Sequence, residues 1–595
     1  MKTGSDFSIA TRSADDQKAA AAGTPGRAGS DWTDSVWLSL AISFVIGFLY
    51  AALLLGPALN PRNVGWVRWD PADHYIGWEL FRQDPHWHWP LTYTDRLGYP
   101  RGEAVALVDL NPLLAVLLKP LSPLLPDPFQ YFGIEAVLVC TLQVFFSIRL
   151  FRLLLGRKPL GIVLCSLFFL LSPALAWRLT RHYSLSNHWL LIAALLIFFQ
   201  AQQESPRTVR RFIISGLVLG AVAVAINPYL AFQVMLVLTA TVGSLLWRRR
   251  LSPLGAAGFM AGLGMTCSIV AYSLGLFIAG GKGYGALGYR FYSLSLLAPF
   301  DPDFYASILS PWLPHSPDGP LHPGSNYLGL GIILLALLVA ILLVKQREKL
   351  RSLDRRWVVP LFLCCMALTL LALSTRISIG STVLVDLDPG QRLSRFLAPL
   401  RASERLFWVP YYTILTVALA APFLLFPRSR ANVLLAIVLA VQLVDTIPLR
   451  RWVRSTVNQP QLHPLKSPVW STLGSLHENL VVLPAWQCGA QASPGGWDGF
   501  WIFGLLATQQ KMRTNSYYSA RYTAVNRDFH CRLAIAALAE QPLSPDTAYV
   551  VTPSLAAVIA EGPTGPGKCH QLDDFILCSV KTDFGLGANS RVPAQ

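Results

Sequence analysis

Long apolar runs separated by short polar breaks fill the chain from residue 36 to residue 448. A run of about 18 or more apolar residues is long enough to cross a bilayer as a helix. Helices are the form expected there, because lipid offers no water to open backbone groups. The pattern predicts eleven spans, at roughly 36–57, 130–150, 159–177, 187–201, 211–226, 229–247, 254–279, 326–344, 357–374, 406–426 and 431–448. Only Asn227-Pro228, a tight turn, separates the fifth from the sixth.

The pattern changes in four places. Residues 1–33 are mostly Ala, Gly, Ser, Asp and Lys with little to bury, and read as a disordered leader. They lack the basic, apolar and small-residue order of a cleavable signal, so the first span reads as an uncleaved anchor. In the loop 58–129, YIGWELFRQ reads as a short helix at the membrane interface. NPLLAVLLKPLSPLLP reads as a proline-broken helix lying along or dipping into the membrane. The stretch 280–325 is rich in Gly, Pro and aromatics and too long for a mere connector. From 449 to 595 the spans cease: NLVVLPAW and AYVVT read as strands, SLAAVIAEG as a helix, and CHQLDDFILCSV as one strand bounded by cysteines. The expected fold class is therefore mainly α, a polytopic membrane bundle over 34–448 carrying a small C-terminal α/β extracytoplasmic domain. No internal repeat stands out.

Composition agrees, at 53% hydrophobic and only 14% charged. The formal charge of +16 could suggest nucleic acid, but the basic residues gather in alternate short loops. Arg149, Arg152, Arg157 and Lys158 follow the second span, Arg207, Arg210 and Arg211 the fourth, and Arg248 to Arg250 the sixth. Lys345 to Arg356 follow the eighth, and Arg428 and Arg430 the tenth. This is the positive-inside pattern. It puts the N-terminus in the cytoplasm and the first loop, 280–325, 375–405 and the tail outside, with the bilayer rather than nucleic acid as partner. Five cysteines lie in spans, where they act as small apolar residues. Cys488, Cys531, Cys569 and Cys578 lie in the tail. Outside the cell they favour two disulfides, of open pairing, over zinc, since no CxxC pair occurs.

Candidate chemistry concentrates just past the first span, in WDPADHYIGWELFRQDPHWHWP. Asp70 and Asp73 are three apart and share a helix face. His74, Trp69 and Trp78 stand with them, and Asp109 in VDLNP opens the next apolar segment as a cap. The plain alternative is that these acids cap helices and pair with nearby arginines. Three other outer elements converge on the same side: WRLTRHYSLSNHW with His182, Lys282 in the long loop, and LDPGQRLSRFLAPLRASERLFW with Arg395, Arg401 and Arg405. The last keeps arginines against the positive-inside bias, which points to a phosphate clamp as readily as to pairing with Glu404. GPTGPGKC has the spacing of a phosphate loop but places Cys569 where Ser or Thr belongs, and reads as a turn. Neither HExxH nor GxSxG occurs.

Acids to take a proton, cations to hold phosphate and aromatics to stack on sugar suit transfer of a sugar from a lipid phosphate. DPADHYIGWELFR, WHWPLT, YPRGEAVALVDLNPLLAVLLKPL, YSLSLLAPFDP, NYLGLG and FLAPLRASERLFWVPYY resemble a bacterial membrane family known only as a domain of unknown function. The architecture resembles GT-C glycosyltransferases. That resemblance implies a plasma-membrane enzyme using a polyprenyl-phosphate sugar and a glycan or lipid acceptor. It implies Asp73 as catalytic base with Asp70 in support, Arg395, Arg401, Arg405, Lys282 and His182 on donor phosphate, and His74, Asp109, Trp69, Trp78 and Tyr327 on substrate. Asp70 and Asp73 are separated by two residues and so do not form a close DxD pair, and no metal or other cofactor is expected. A flippase of a lipid-linked glycan and a non-catalytic assembly factor are the competing expectations.

Overall fold

The computed structural model describes residues 32–278, 289, 292–310, 326–351, 353–519, 521–565 and 568–581. Most of the leader, Lys282 and parts of the 280–325 stretch lie outside those residues, as do the side chains of Lys349, Leu350, Arg395 and Ala398.

A helix occurs at each of the eleven predicted places, but fewer qualify as spans. Among the described residues eight are long and apolar enough to cross a membrane, or nine if one bent pair counts as a single span. The three exceptions have local causes. Over 159–177 the helix Pro159–Leu170 stops, and Ser172 caps a new turn, Pro173–Arg178. Over 326–344, Leu330–Lys345 has only 16 residues. Over 431–448, Arg428–Asp445 breaks into Ile447–Val457 with a 49° bend where Pro448 cannot continue the ladder.

The first span, α1 (Val36–Leu55), buries Ser39, Ser43, Gly47 and Ala51, one small residue per turn. This stripe lets its backbone lie directly on the second span, the helix Phe132–Leu155. A Cβ on Gly47 would stand 2.6 Å from the Thr141 amide nitrogen, so only glycine fits. Beneath them the basic connections gather at one end of the bundle with the start of the first helix. Asp34 pairs with Arg152 and Arg157, Arg248 with Asp354, and Arg250 with Glu204.

At the other end sits α2 (Asp70–Gln83), which opens with Asp70-Pro71 and has two acids in its first turn, favourable near a helix N-terminus. It starts earlier than the interfacial helix expected from YIGWELFRQ and is covered by protein, Pro71 to Phe81 all being buried. Its cover is the tail helix α3 (Gly499–Gln509), where the Gln83 amide donates to the Thr508 carbonyl (3.0 Å).

Strands β1 (Tyr93–Thr94) and β2 (Glu103–Ala104) pair in the first loop, and β3 (Arg376–Ile379) with β4 (Thr382–Asp386) forms an exposed hairpin. The tail carries β5 (Asn479–Leu483), β6 (Arg513–Thr514), β7 (Thr547–Val551), β8 (Cys569–Leu572) and β9 (Phe575–Cys578). Their order is β6-β5-β7-β9-β8, with β5 parallel to β6 and β7, and the last three antiparallel. CHQLDDFILCSV is therefore a hairpin turning at Asp573, not one strand. The four tail cysteines form Cys488–Cys531 and Cys569–Cys578, the second directly across β8 and β9.

The first loop extends this sheet at its β6 edge. The Gly98 amide donates to the Thr514 carbonyl (2.8 Å), and the Thr514 amide to the Arg96 carbonyl (2.9 Å). Glu103 completes the seam: Oε2 accepts from the Tyr517 hydroxyl (3.1 Å) and the Asn526 amide (3.0 Å), and Oε1 from the Ala104 amide (3.1 Å).

Candidate functional site

A cleft of about 320 Å³ opens where the first loop, the bundle and the tail meet. That volume lies within the range of small-molecule sites, about 300–1,000 Å³. Asp70, Asp73 and Trp69 line it from α2 and the residue before it, and Arg178, Arg181 and His182 from the 177–189 connection. Arg401, Glu404 and Arg405 line it from the other side. The acids and two of the predicted arginines thus share one wall-to-wall space. A larger cavity of about 440 Å³ lies between the 461–471 connector and α3, but no carboxylate among the described residues lines it.

Asp73 is buried, and its Oδ2 faces the Asp109 amide at 3.4 Å while Oδ1 has no hydrogen-bond partner. Burial, then the negative charge of Asp109, pushes its carboxyl well above the usual range, with Asp70 adding to the rise. Asp109 goes the other way. Burial pushes it up, but the charge and hydrogen bond of His182, followed by His74 and Arg405, hold it below the ordinary value. Its partner is thus His182 rather than the following helix; Asn111 caps that helix, accepting from the Leu114 amide (3.3 Å). His74 lies behind them, buried, its imidazole pushed down to about 4 by loss of solvent.

The cations are held by aromatics. Arg401 Nη2 donates to the Tyr518 hydroxyl (3.1 Å), and Arg405 lies 5.4 Å over the Tyr229 ring. Arg181 lies against the stacked pair Trp177 and Trp452, 5.2 and 4.9 Å from their centroids, and Arg178 lies 5.3 Å over Trp408 with Glu404 at 3.8 Å. Nε of Arg178 and of Arg405 is buried without a hydrogen-bond partner. Guanidinium groups lining a cleft suit a phosphate or carboxylate.

Some predicted residues fall elsewhere. Trp78 is fully buried and donates to the Phe129 carbonyl (3.0 Å), and Tyr327 donates to Asp445 (2.6 Å) in the bundle interior. Neither lines the cleft, so both are packing residues. Arg395 lies on the helix Gly390–Leu397. Trp69 does line the cleft, in a left-handed backbone conformation (φ 51°), with its indole donating to Asp498 of the tail (2.6 Å). The tail's own contribution is absent from the sequence reading: Trp486, Trp497, Phe500 and Tyr518 form one wall. The aromatic density of WQCGAQASPGGWDGFW was the available signal.

Helices that could span a membrane, with a small sheet seated on their loops and a charged cleft at the junction, are those of a multi-pass membrane protein. The chain belongs to a family: residues 44–447 match the model described as "Domain of unknown function (DUF6311)", and residues 469–580 match the "DUF6311 C-terminal domain". No curated protein matches the chain.

Proposed function

We propose that the protein is a GT-C-type glycosyltransferase of a bacterial plasma membrane. It transfers a sugar from a polyprenyl-phosphate donor to a cell-envelope glycan or lipid on the outer face. The observation that supports this most is the single cleft shared by Asp73 and the arginines 178, 181, 401 and 405. In this reading Asp73 takes the proton of the acceptor hydroxyl as its oxygen bonds to the anomeric carbon. The bond from that carbon to the lipid phosphate breaks with inversion, and the departing phosphate, one charge more negative, is held by Arg401 and Arg405. Asp70 orients the acceptor, and the tail aromatics pack on sugar C–H faces. The arginine-rich loops at the far end face the cytoplasm, so donor lipid and acceptor meet outside.

The test is Asp73→Asn in purified protein with a polyprenyl-phosphate sugar. Loss of a positioned base costs about 100- to 10,000-fold in turnover. The asparagine variant keeps shape and insertion, so retained turnover refutes the role.

One observation favours a second reading. The helix pair broken at Asp445–Ile447, with buried Asp445 bonded to Tyr327 and the Leu330 amide, has the form of a discontinuous transporter helix. A flippase would catalyse no transfer in detergent, where no barrier exists; transfer there decides for the enzyme.

A further inference from the structure

Behind the arginine wall, three side chains from three separate segments converge. His74 comes from α2, Asp109 from the turn before the helix Pro112–Leu118, and His182 from the residue before the turn Tyr183–Ser186. One ligand atom from each lies within 4.8 Å of both others. We propose that they bind one divalent transition-metal ion of the zinc class at the floor of the cleft.

His74 carries the argument. It is 1% exposed, and neither Nδ1 nor Nε2 has a hydrogen-bond partner. A buried imidazole left without partners on both nitrogens is costly, and native proteins rarely tolerate it without an ion or water. Its ring stands edge-on against the stacked pair Phe132 and Tyr183, with centroids 6.2 and 5.7 Å away. His182, in a left-handed backbone conformation (φ 53°, ψ 61°), contacts the Asp109 carboxylate.

Two imidazoles and one carboxylate suit zinc or a neighbouring first-row ion, with further positions left for water or substrate. Magnesium and calcium prefer oxygen shells and match this set poorly. A zinc shell with bonds of about 2.0–2.1 Å sets its donors farther apart than His182 and Asp109 now stand, so those two must part to admit the ion, which side-chain rotation supplies. The cluster borders the cleft through His182, which also lines that space beside Asp73, Arg401 and Arg405. An ion there would meet an anionic ligand oxygen together with the guanidinium groups.

A second cluster, Asp84, His88 and Asp95, differs in kind. The Asp84 oxygens already accept from the His86 amide (3.0 Å), the Thr94 hydroxyl (2.8 Å) and His88 Nε2 (3.1 Å), so its buried acid is already satisfied. The expectation of no metal came from the missing close acid pair. Ligands on three distant segments are invisible to spacing.

The site rests on His74, Asp109 and His182 alone, and its test needs no sugar donor, so its failure would leave the transfer reading standing. Full-length protein, purified in detergent without a histidine tag and stripped with chelator, is titrated with Co²⁺. Metal content after incubation with Zn²⁺ is measured by mass spectrometry. The wild type should take up one Co²⁺ with a visible d–d spectrum, lost on adding Zn²⁺ but not Mg²⁺. His182→Ala and Asp109→Asn should weaken binding by more than about 100-fold, since even outer-shell changes cost 10- to 100-fold. His74→Ala should do the same, and if it misfolds the other two decide. Asp70→Asn should bind as wild type. No stoichiometric uptake by the wild type, or unchanged uptake by His182→Ala and Asp109→Asn, overturns the assignment.

Discussion

Glu103→Gln tests how the tail is seated on the first loop. Glu103 is 1% exposed at the seam with Tyr517 and Asn526. Burial pushes its carboxyl up from 4.5 to about 7, although the Asn526, Ala104 and Tyr517 hydrogen bonds pull partly back. A rise of about 2.5 units, at 1.36 kcal/mol each, corresponds to roughly 3 kcal/mol. The sign follows from proton binding. Between pH 4.5 and about 7 the folded protein keeps a proton that the unfolded chain has lost. Stability is therefore fully present below pH 4.5, falls across that window, and is lost above about 7. Glutamine carries no charge and removes this slope. Its oxygen can replace Oε2 toward Tyr517 and Asn526, but its NH₂ then faces the Ala104 amide, sacrificing about 1 kcal/mol. The variant should be about 2 kcal/mol more stable than wild type at pH 8 and slightly less stable at pH 4.5. Tryptophan-fluorescence melting in detergent across this range reads the difference. A wild type whose melting temperature rises from pH 5 to pH 8 by an amount that Glu103→Gln abolishes would refute the sign. A variant that keeps the full wild-type slope would remove Glu103 as its source.

Three more outcomes follow from contacts described above. Gly47→Ala forces α1 away from the second span, costing about 1–3 kcal/mol, read as a lower melting temperature, whereas Ala51→Gly should cost less. Breaking Cys488–Cys531, which closes a 43-residue separation, should destabilise the tail by about 4 kcal/mol against roughly 2.5 for the nine-residue Cys569–Cys578, measured by denaturant unfolding of paired Cys→Ala variants. Tyr518→Phe frees Arg401 Nη2 from its hydroxyl partner. If the donor phosphate occupies the arginines, KM for donor should change with little loss of kcat, and a pure kcat loss would argue against that placement.

The long apolar runs made the helices legible, because a bilayer demands uninterrupted apolar length. Span number was less legible, since Pro173 and Pro448 interrupt hydrogen-bond ladders without changing mean hydropathy. Asp70, Asp73, His182, Arg401 and Arg405 were visible as charges on loops expected to share one side. Trp78 and Tyr327 misled because an aromatic with a polar tip serves a packed interior as well as a sugar. Asp109 was read as a cap although Asn111, two residues on, has the shorter reach to the Leu114 amide. The aromatic density of the tail's wall was legible, but its docking on the first loop was not. No local pattern says that β6 will accept the Arg96–Gly98 backbone as a neighbour and so carry Tyr518 to Arg401.

That docking gives the two family segments a shared fate. One face of the cleft is laid down before residue 110 and another after residue 485, so during synthesis the site stays half-built until nearly the whole chain has emerged. A tail transplanted from a distant relative would need matching changes around Glu103 and Asp498, or the opening would gape. Swapping modules to retune specificity is thus constrained here, and drift on either side of the joint must be answered on the other.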